Sequence, residues 1–129
     1  SESIPAYERV RAQLQAADAV LIVSPEHNRT MPAAMKNIID IAARPFGSNV
    51  WSGKKTAIAT ASPGSYGGIN SGLHIRQSLQ AMSADVMIAP EVFLSRAHTA
   101  LADGQVSDAR TAAFLNKFAA AFYAWAQAE

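Results

Sequence analysis

Cysteine is absent from these 129 residues. That excludes a disulfide framework, a thiolate metal site and a cysteine nucleophile, and it fits a reducing compartment, so a cytoplasmic location is expected. A surplus of charge is absent as well. Eleven Lys and Arg stand against ten Asp and Glu, a formal balance of +1. Such a chain has no electrostatic footprint for nucleic acid or an anionic membrane, and neither is expected as a partner. No apolar run approaches the ~18 residues that a transmembrane helix needs. The opening Ser1-Glu2-Ser3-Ile4-Pro5 has neither the basic n-region nor the apolar h-region of a signal peptide. No Gly-x-Ser-x-Gly elbow occurs, which disfavours a serine hydrolase. His74 and His98 are far apart without metal-ligand spacing and read as surface residues; no metal site is expected.

What is present describes a globular chain. Half of the residues are apolar, enough for one domain, 1–129, with its own core. Ser3-Ile4-Pro5 reads as a helix start with a hydroxyl cap, and Tyr7, Val10, Leu14 and Ala17 follow at helical spacing. Val20-Leu21-Ile22-Val23 is a continuous apolar run rich in β-branched residues, read as a strand buried on both faces. After a polar loop over 24–29, Thr30-Met31-Pro32 opens a second helix carrying Met35, Ile38, Ile39 and Ala42, and Arg44-Pro45 stops it. Residues 46–53 form a loop containing Trp51. Residues 55–61 read as a second buried strand. A helix over about 69–82 places Leu73, Arg76, Leu79 and Met82 near one face. A third strand over 85–89 ends at Pro90, and 91–105 is irregular, with a turn at Asp103-Gly104. Ser107 caps a last helix whose buried stripe is Leu115, Phe118, Phe122 and Trp125.

The alternation predicts an α/β fold, an open parallel sheet with helices on both faces. Three apolar strands would leave an edge exposed, and one or two further strands are expected to precede Ser1, from this polypeptide or from another chain.

In open parallel sheets, ligands bind at the C-terminal ends of the strands. Two loops occupy that position here. The first is Ser24-Pro25-Glu26-His27-Asn28 and the second is Ser62-Pro63-Gly64-Ser65-Tyr66-Gly67-Gly68. Adjacent strands would set them side by side. Glycines in the second loop allow close backbone approach and positive φ, and successive N–H groups before a helix make a partly positive concavity. The spacing matches neither a Walker A loop nor a Gly-x-Gly-x-x-Gly fingerprint. Read alone, each loop could equally be a βα turn without a ligand. His27 could act as a general acid, since its unperturbed pKa is about 6.5. Trp51 and Tyr66 could border an opening, and Trp51 could equally be core. Lys36 and Asp40 are most simply a surface pair. Arg76 contacts a partner or covers apolar surface with its stem.

Together the blocks resemble a known family. Pro25-Glu26-His27-Asn28, Met31-Pro32 and Met35-Lys36-Asn37-Ile38-Ile39-Asp40 are similar to the Pro-Glu-Tyr-Asn…Pro…Leu-Lys-Asn-Ala-Ile-Asp block of the NADPH-dependent FMN reductases. Gly53-Lys54-Lys55, Ser62-Pro63-Gly64 with Gly67-Gly68, residues 73–77 and Pro90-Glu91 echo later family segments. The resemblance implies a flavodoxin-like fold, of which this chain is the C-terminal two-thirds. It implies FMN, with NADPH or NADH as donor, and a small-molecule acceptor such as a quinone, azo compound, flavin or metal oxyanion. Pro25, Glu26, His27 and Asn28 would line the flavin edge; Ser62, Pro63, Gly64, Ser65, Tyr66, Gly67 and Gly68 would close over its pyrimidine side. No protein catalytic residue is implied, because the flavin carries the chemistry. A homodimer or homotetramer is implied too. His27 stands where the family usually has Tyr, and the family's Gly-Ser-x-Arg phosphate loop has no counterpart in these residues. The rival readings are a flavodoxin-like FMN-binding electron carrier and a non-catalytic subunit or fragment.

Overall fold

The computed structural model describes residues 4–128. Helix α1 (Pro5–Ala16) opens on Pro5, whose missing N–H is one that a first turn leaves unbonded anyway. The hydroxyl cap expected at Ser3 lies outside the described residues. Strand β1 (Ala19–Ser24) runs parallel to β2 (Lys55–Ala61) in a continuous register from Ala19↔Lys55 to Ser24↔Thr60. Helix α2 (Ala33–Ala42) makes the crossover between them. Helix α3 (Ile69–Ala81) then leads to β3 (Asp85–Val86), which is parallel to β2 at Lys55 and Thr56.

The third strand expected over 85–89 is divided. The chain leaves the ladder after Val86 and returns on the same side of β2 as β4 (Val92–Leu94), paired with Ala59, Thr60 and Ala61. Pro90 has no N–H to give a ladder, and Ile88 between the stubs is 81% exposed. The stretch expected to be irregular also holds order. It contains β4, the short helix α4 (Ala97–Ala100), and a hairpin of β5 (Leu101–Ala102) with β6 (Gln105–Val106). The hairpin turns on Asp103 and Gly104, both at positive φ, as a two-residue primed turn needs. The last helix, α5 (Ala109–Gln127), is capped by Asp108 rather than Ser107. The Asp108 carboxylate accepts from the N–H groups of Arg110 and Thr111, and Ser107 Oγ instead donates to Thr99 O at 2.6 Å.

Helices cover both faces, as the alternation predicts. On one face Ile22 and Ile58 pack with Ile39, Ala42, Trp51, Ile75 and Leu79, with Leu14 of α1 against the same cluster. Trp51 is core: it is 1% exposed, and its indole N–H donates to Ile39 O at 3.1 Å. On the other face Ala57, Met87 and Val92 pack with Phe118, flanked by Leu115, Phe122 and Trp125, the stripe read from the sequence. The buried side of α3 differs from the one expected. Leu73 is exposed, and Ser71, Gly72, Ile75 and Leu79 face inward. Small residues are needed there because a Cβ on Gly72 would lie 3.0 Å from Phe93 Cε1.

Strand β1 is buried on one face only, contrary to expectation. Ile22 and Ser24 point into the core, whereas Leu21 is 43% and Val23 70% exposed. Helix α5 lies over β2 and β4 and leaves Leu21 and Val23 uncovered. Among the described residues, β1 pairs with β2 alone, so its other edge is open.

At the N-terminal ends of the strands two lysines tie down helix ends. Lys54 Nζ donates to Gln15 O and Ala17 O behind α1. Lys55 Nζ donates to Trp125 O and Ala128 O at the end of α5. Cations there complement the partial negative charge of a helix C-terminus. Among the described residues, no helix is long and apolar enough to cross a membrane.

Candidate functional site

The β1–β2 register places the ends of both strands level, with Ser24 opposite Thr60. The two loops flagged in the sequence therefore emerge next to each other. A cavity of about 830 Å³ lies elsewhere, at the lysine end of the sheet, lined by Gln15, Asp18, Lys54, Lys55 and Tyr123.

The first loop is a tight turn held by side chains. His27 N–H donates to Thr30 O at 2.9 Å and Thr30 N–H to His27 O at 3.1 Å. Asn28 and Arg29 at the tip have φ of 52° and 72°. Glu26 is half-buried, and its Oε1 accepts the Ser71 N–H at 2.9 Å, a donor in the first turn of α3. No α3 residue provides this cap: Gly68 at the N-cap has no side chain, so an acid from another loop satisfies one of the unbonded donors there. Ser71 Oγ returns a bond to Pro25 O at 2.9 Å. Thr30 Oγ1 and His74 Nδ1 lie 2.7 Å apart, a second tie to α3. Pro25, His27 and Asn28 are exposed.

The second loop is held by backbone and by close approach. Ser62 N–H donates to Leu94 O at 3.0 Å, and Gly64 N–H to Ser62 Oγ at 3.1 Å. Residues beyond β4 close the far side: Arg96 N–H donates to Gly64 O and Ala97 N–H to Ser62 O, both at 2.9 Å. Thr60 Oγ1 donates to Gly67 O at 2.7 Å. Gly67 and Gly68 are buried, with φ of 63° and 80°. A Cβ on Gly67 would fall 2.4 Å from Phe93 O, and one on Gly68 2.9 Å from Thr60 Cβ. These glycines are therefore demanded by packing against β2 and β4 as well as by φ. Pro63, Ser65 and Tyr66 face outward. Among the described residues, the N–H groups of Ser65, Tyr66, Gly67 and Gly68 make no hydrogen bond of standard geometry to the protein, which leaves them able to serve an acceptor from outside.

Comparison with known proteins identifies the family. The family model described as NADPH-dependent FMN reductase matches residues 2–99. The chain belongs to this family. A quinone reductase of Pseudomonas putida is 39% identical over 120 residues, 93% of this chain and 64% of that protein. A 2-hydroxy-1,4-benzoquinone reductase of a Burkholderia species is 34% identical over 116 residues, 89% of this chain and 63% of that protein. Among solved structures, the flavoenzyme NAD(P)H:(acceptor) oxidoreductase FerB of Paracoccus denitrificans superposes with a TM-score of 0.89 at 35% identity, covering 98% of this chain and 70% of that one. The parallel sheet flanked by helices is thus the flavodoxin-like architecture expected. The chain spans slightly under two-thirds of the length of these two reductases.

For this family member the donor set suits one part of an FMN molecule. Unpaired N–H groups over 65–68, at the N-terminus of α3, suit the electron-rich pyrimidine edge of a flavin, on which negative charge accumulates on reduction. The family's Gly-Ser-x-Arg phosphate loop has no counterpart among these residues. Sequence reasoning missed three participants: Ser71, His74 and the acceptor role of the Glu26 side chain. Asp or Glu near a helix start was a usable signal, but here the acid lies 45 residues from the donor it caps. Arg76 is structural, donating to Met87 O at 3.2 Å. Lys36 and Asp40 form the expected exposed pair at 2.9 Å.

Proposed function

We propose that this chain is the flavin-ring-binding part of an FMN-dependent NAD(P)H oxidoreductase whose acceptors are small molecules: quinones, azo compounds, free flavins or metal oxyanions. The observation that carries the reading is the row of four unpaired N–H groups over 65–68 beside the pinned turn 25–30, at the C-terminal ends of adjacent strands.

Bound FMN would supply the redox chemistry between NAD(P)H and the acceptor. The protein's part is to position and to polarise. Backbone groups of 62–68 would hold the pyrimidine side of the ring, and those of 25–28 its edge. The Glu26–Ser71 bond fixes the distance between the loops. A preorganised row of N–H donors favours the anionic reduced ring without reorganising. His27 serves through its backbone, so the Tyr-to-His difference from the usual family motif costs no proton-transfer group. The domain is a single unit over 1–129, assembles as a homodimer or homotetramer, and works in the cytoplasm.

The test is the visible spectrum of purified protein reconstituted with FMN, before and after anaerobic NADPH. Bound flavin that bleaches is the expected result. Flavin that stays oxidised with NADPH and NADH alike would make the protein an electron carrier. Protein that takes up no FMN would remove the flavin reading for these residues.

A further inference from the structure

Among the described residues, five other than glycine have positive φ: Asn28, Arg29, Ser83, Arg96 and Asp103. Asn and Asp tolerate that region because their short polar side chains bond locally. Arginine has no such compensation, and glycine is the natural choice for the second tip position of a two-residue turn. Arg29 at φ 72° occupies that position. Backbone strain kept in a ligand-binding loop points to a side chain that is needed.

The Arg29 side chain is held ready. Its guanidinium carbon lies 5.9 Å from the centre of the Tyr66 ring, so it reaches across from the first loop to the second. The turn beneath it is fixed by the paired His27–Thr30 bonds and by Thr30 on His74. Among the described residues, no carboxylate oxygen lies within 4.0 Å of it, Lys36–Asp40 being the only ion pair. Arg96, the other strained arginine, donates its N–H to Gly64 O on the far side of loop 62–68. The loop with the unpaired N–H row is thus bracketed by two arginines, each where glycine would be easier.

We infer that Arg29 is the anchor for a phosphoryl anion, the pyrophosphate bridge of the nicotinamide dinucleotide donor. A guanidinium presents paired donors that fit phosphate oxygens two at a time. The inference rests on the reductase reading for its choice of ligand, since the only other phosphate there would be that of the flavin.

Arg29→Gly and Arg29→Lys decide the matter. Glycine relaxes the turn, so Arg29→Gly should raise the melting temperature by about 3 °C, while KM for NADPH and NADH rises about tenfold or more with kcat nearly kept. Arg29→Lys should fall between, because lysine keeps charge without the fork. Inorganic pyrophosphate should raise the melting temperature of the wild type and not of Arg29→Gly; this arm needs no turnover and remains decisive if the wild type proves inactive. An unchanged donor KM together with an unchanged pyrophosphate shift would overturn the assignment. So would a lowered melting temperature in Arg29→Gly, which would make the residue structural. Weaker FMN binding with riboflavin binding unaltered would assign the guanidinium to the flavin's phosphate instead. The whole effect appearing in Arg96→Gly would move the anchor there.

Discussion

Loop 25–30 and loop 62–68 sit at the same end of neighbouring strands, yet they are fastened by opposite means. The first is pinned through side chains: Glu26 to Ser71, Ser71 to Pro25, Thr30 to His74. The second is pinned where side chains are missing, with Gly67 and Gly68 pressed against Phe93 and Thr60. Side-chain ties can be cut one at a time and the loop relaxes by degrees. Close backbone approach cannot be relaxed by degrees, since an added methyl must displace a strand. The first loop is therefore the adjustable wall of the candidate site and the second the fixed one.

The sharpest way to break this contrast is Gly67→Ala. A Cβ 2.4 Å from a backbone carbonyl, at φ 63°, has nowhere to go; destabilisation of about 3 kcal/mol or more is expected from urea unfolding. A loss below about 1 kcal/mol would mean that β4 yields easily and the loop is not fixed. Glu26→Ala should cost less, about 1–2 kcal/mol, for the lost cap on α3. Glu26→Gln keeps an acceptor oxygen and should recover most of that. If Ala and Gln behave alike, the Ser71 bond is not what holds the first loop. Gly64→Ala is the smallest of the loop changes. Its new Cβ would meet only Ser62 Oγ, at an ordinary 3.5 Å, so stability should stay within about 0.5 kcal/mol. A large loss at Gly64 would show that the whole loop, rather than its last two residues, resists a side chain.

Asp108, outside both loops, gives a reference for what an exposed cap does. Bonds from the Thr111 hydroxyl, then the Thr111 and Arg110 N–H groups, hold its pKa below the ordinary 3.8. Its contribution is present above that ordinary value and is lost as pH falls through the lowered one. The urea midpoint of Asp108→Asn should vary less over this acid range than that of the wild type. Equal acid sensitivity would place the titrating group elsewhere.

Periodicity in the sequence carries most of the fold. The α5 stripe of Leu115, Phe118, Phe122 and Trp125 follows from spacing, and the β1 and β2 strands from their apolar runs. The third strand was misread because composition does not show that the chain leaves the ladder between Val86 and Val92. The burial of β1 was misread because an apolar run reports what a strand can bury, and Leu21 and Val23 have no helix over them among the described residues. In the site, both loops were visible as motifs. The Glu26–Ser71 and Thr30–His74 ties were not, since each joins residues more than forty apart. Arg29 was passed over because a turn's φ values are not written in its composition.

The division of the outer strand into β3 and β4 has a consequence for how copies of this fold can meet. Two stubs of two and three residues, separated by a departure from the ladder, offer a newcomer no continuous row of hydrogen-bonding groups. The break after Val86 therefore keeps this flank of the sheet from templating a further strand along its whole length.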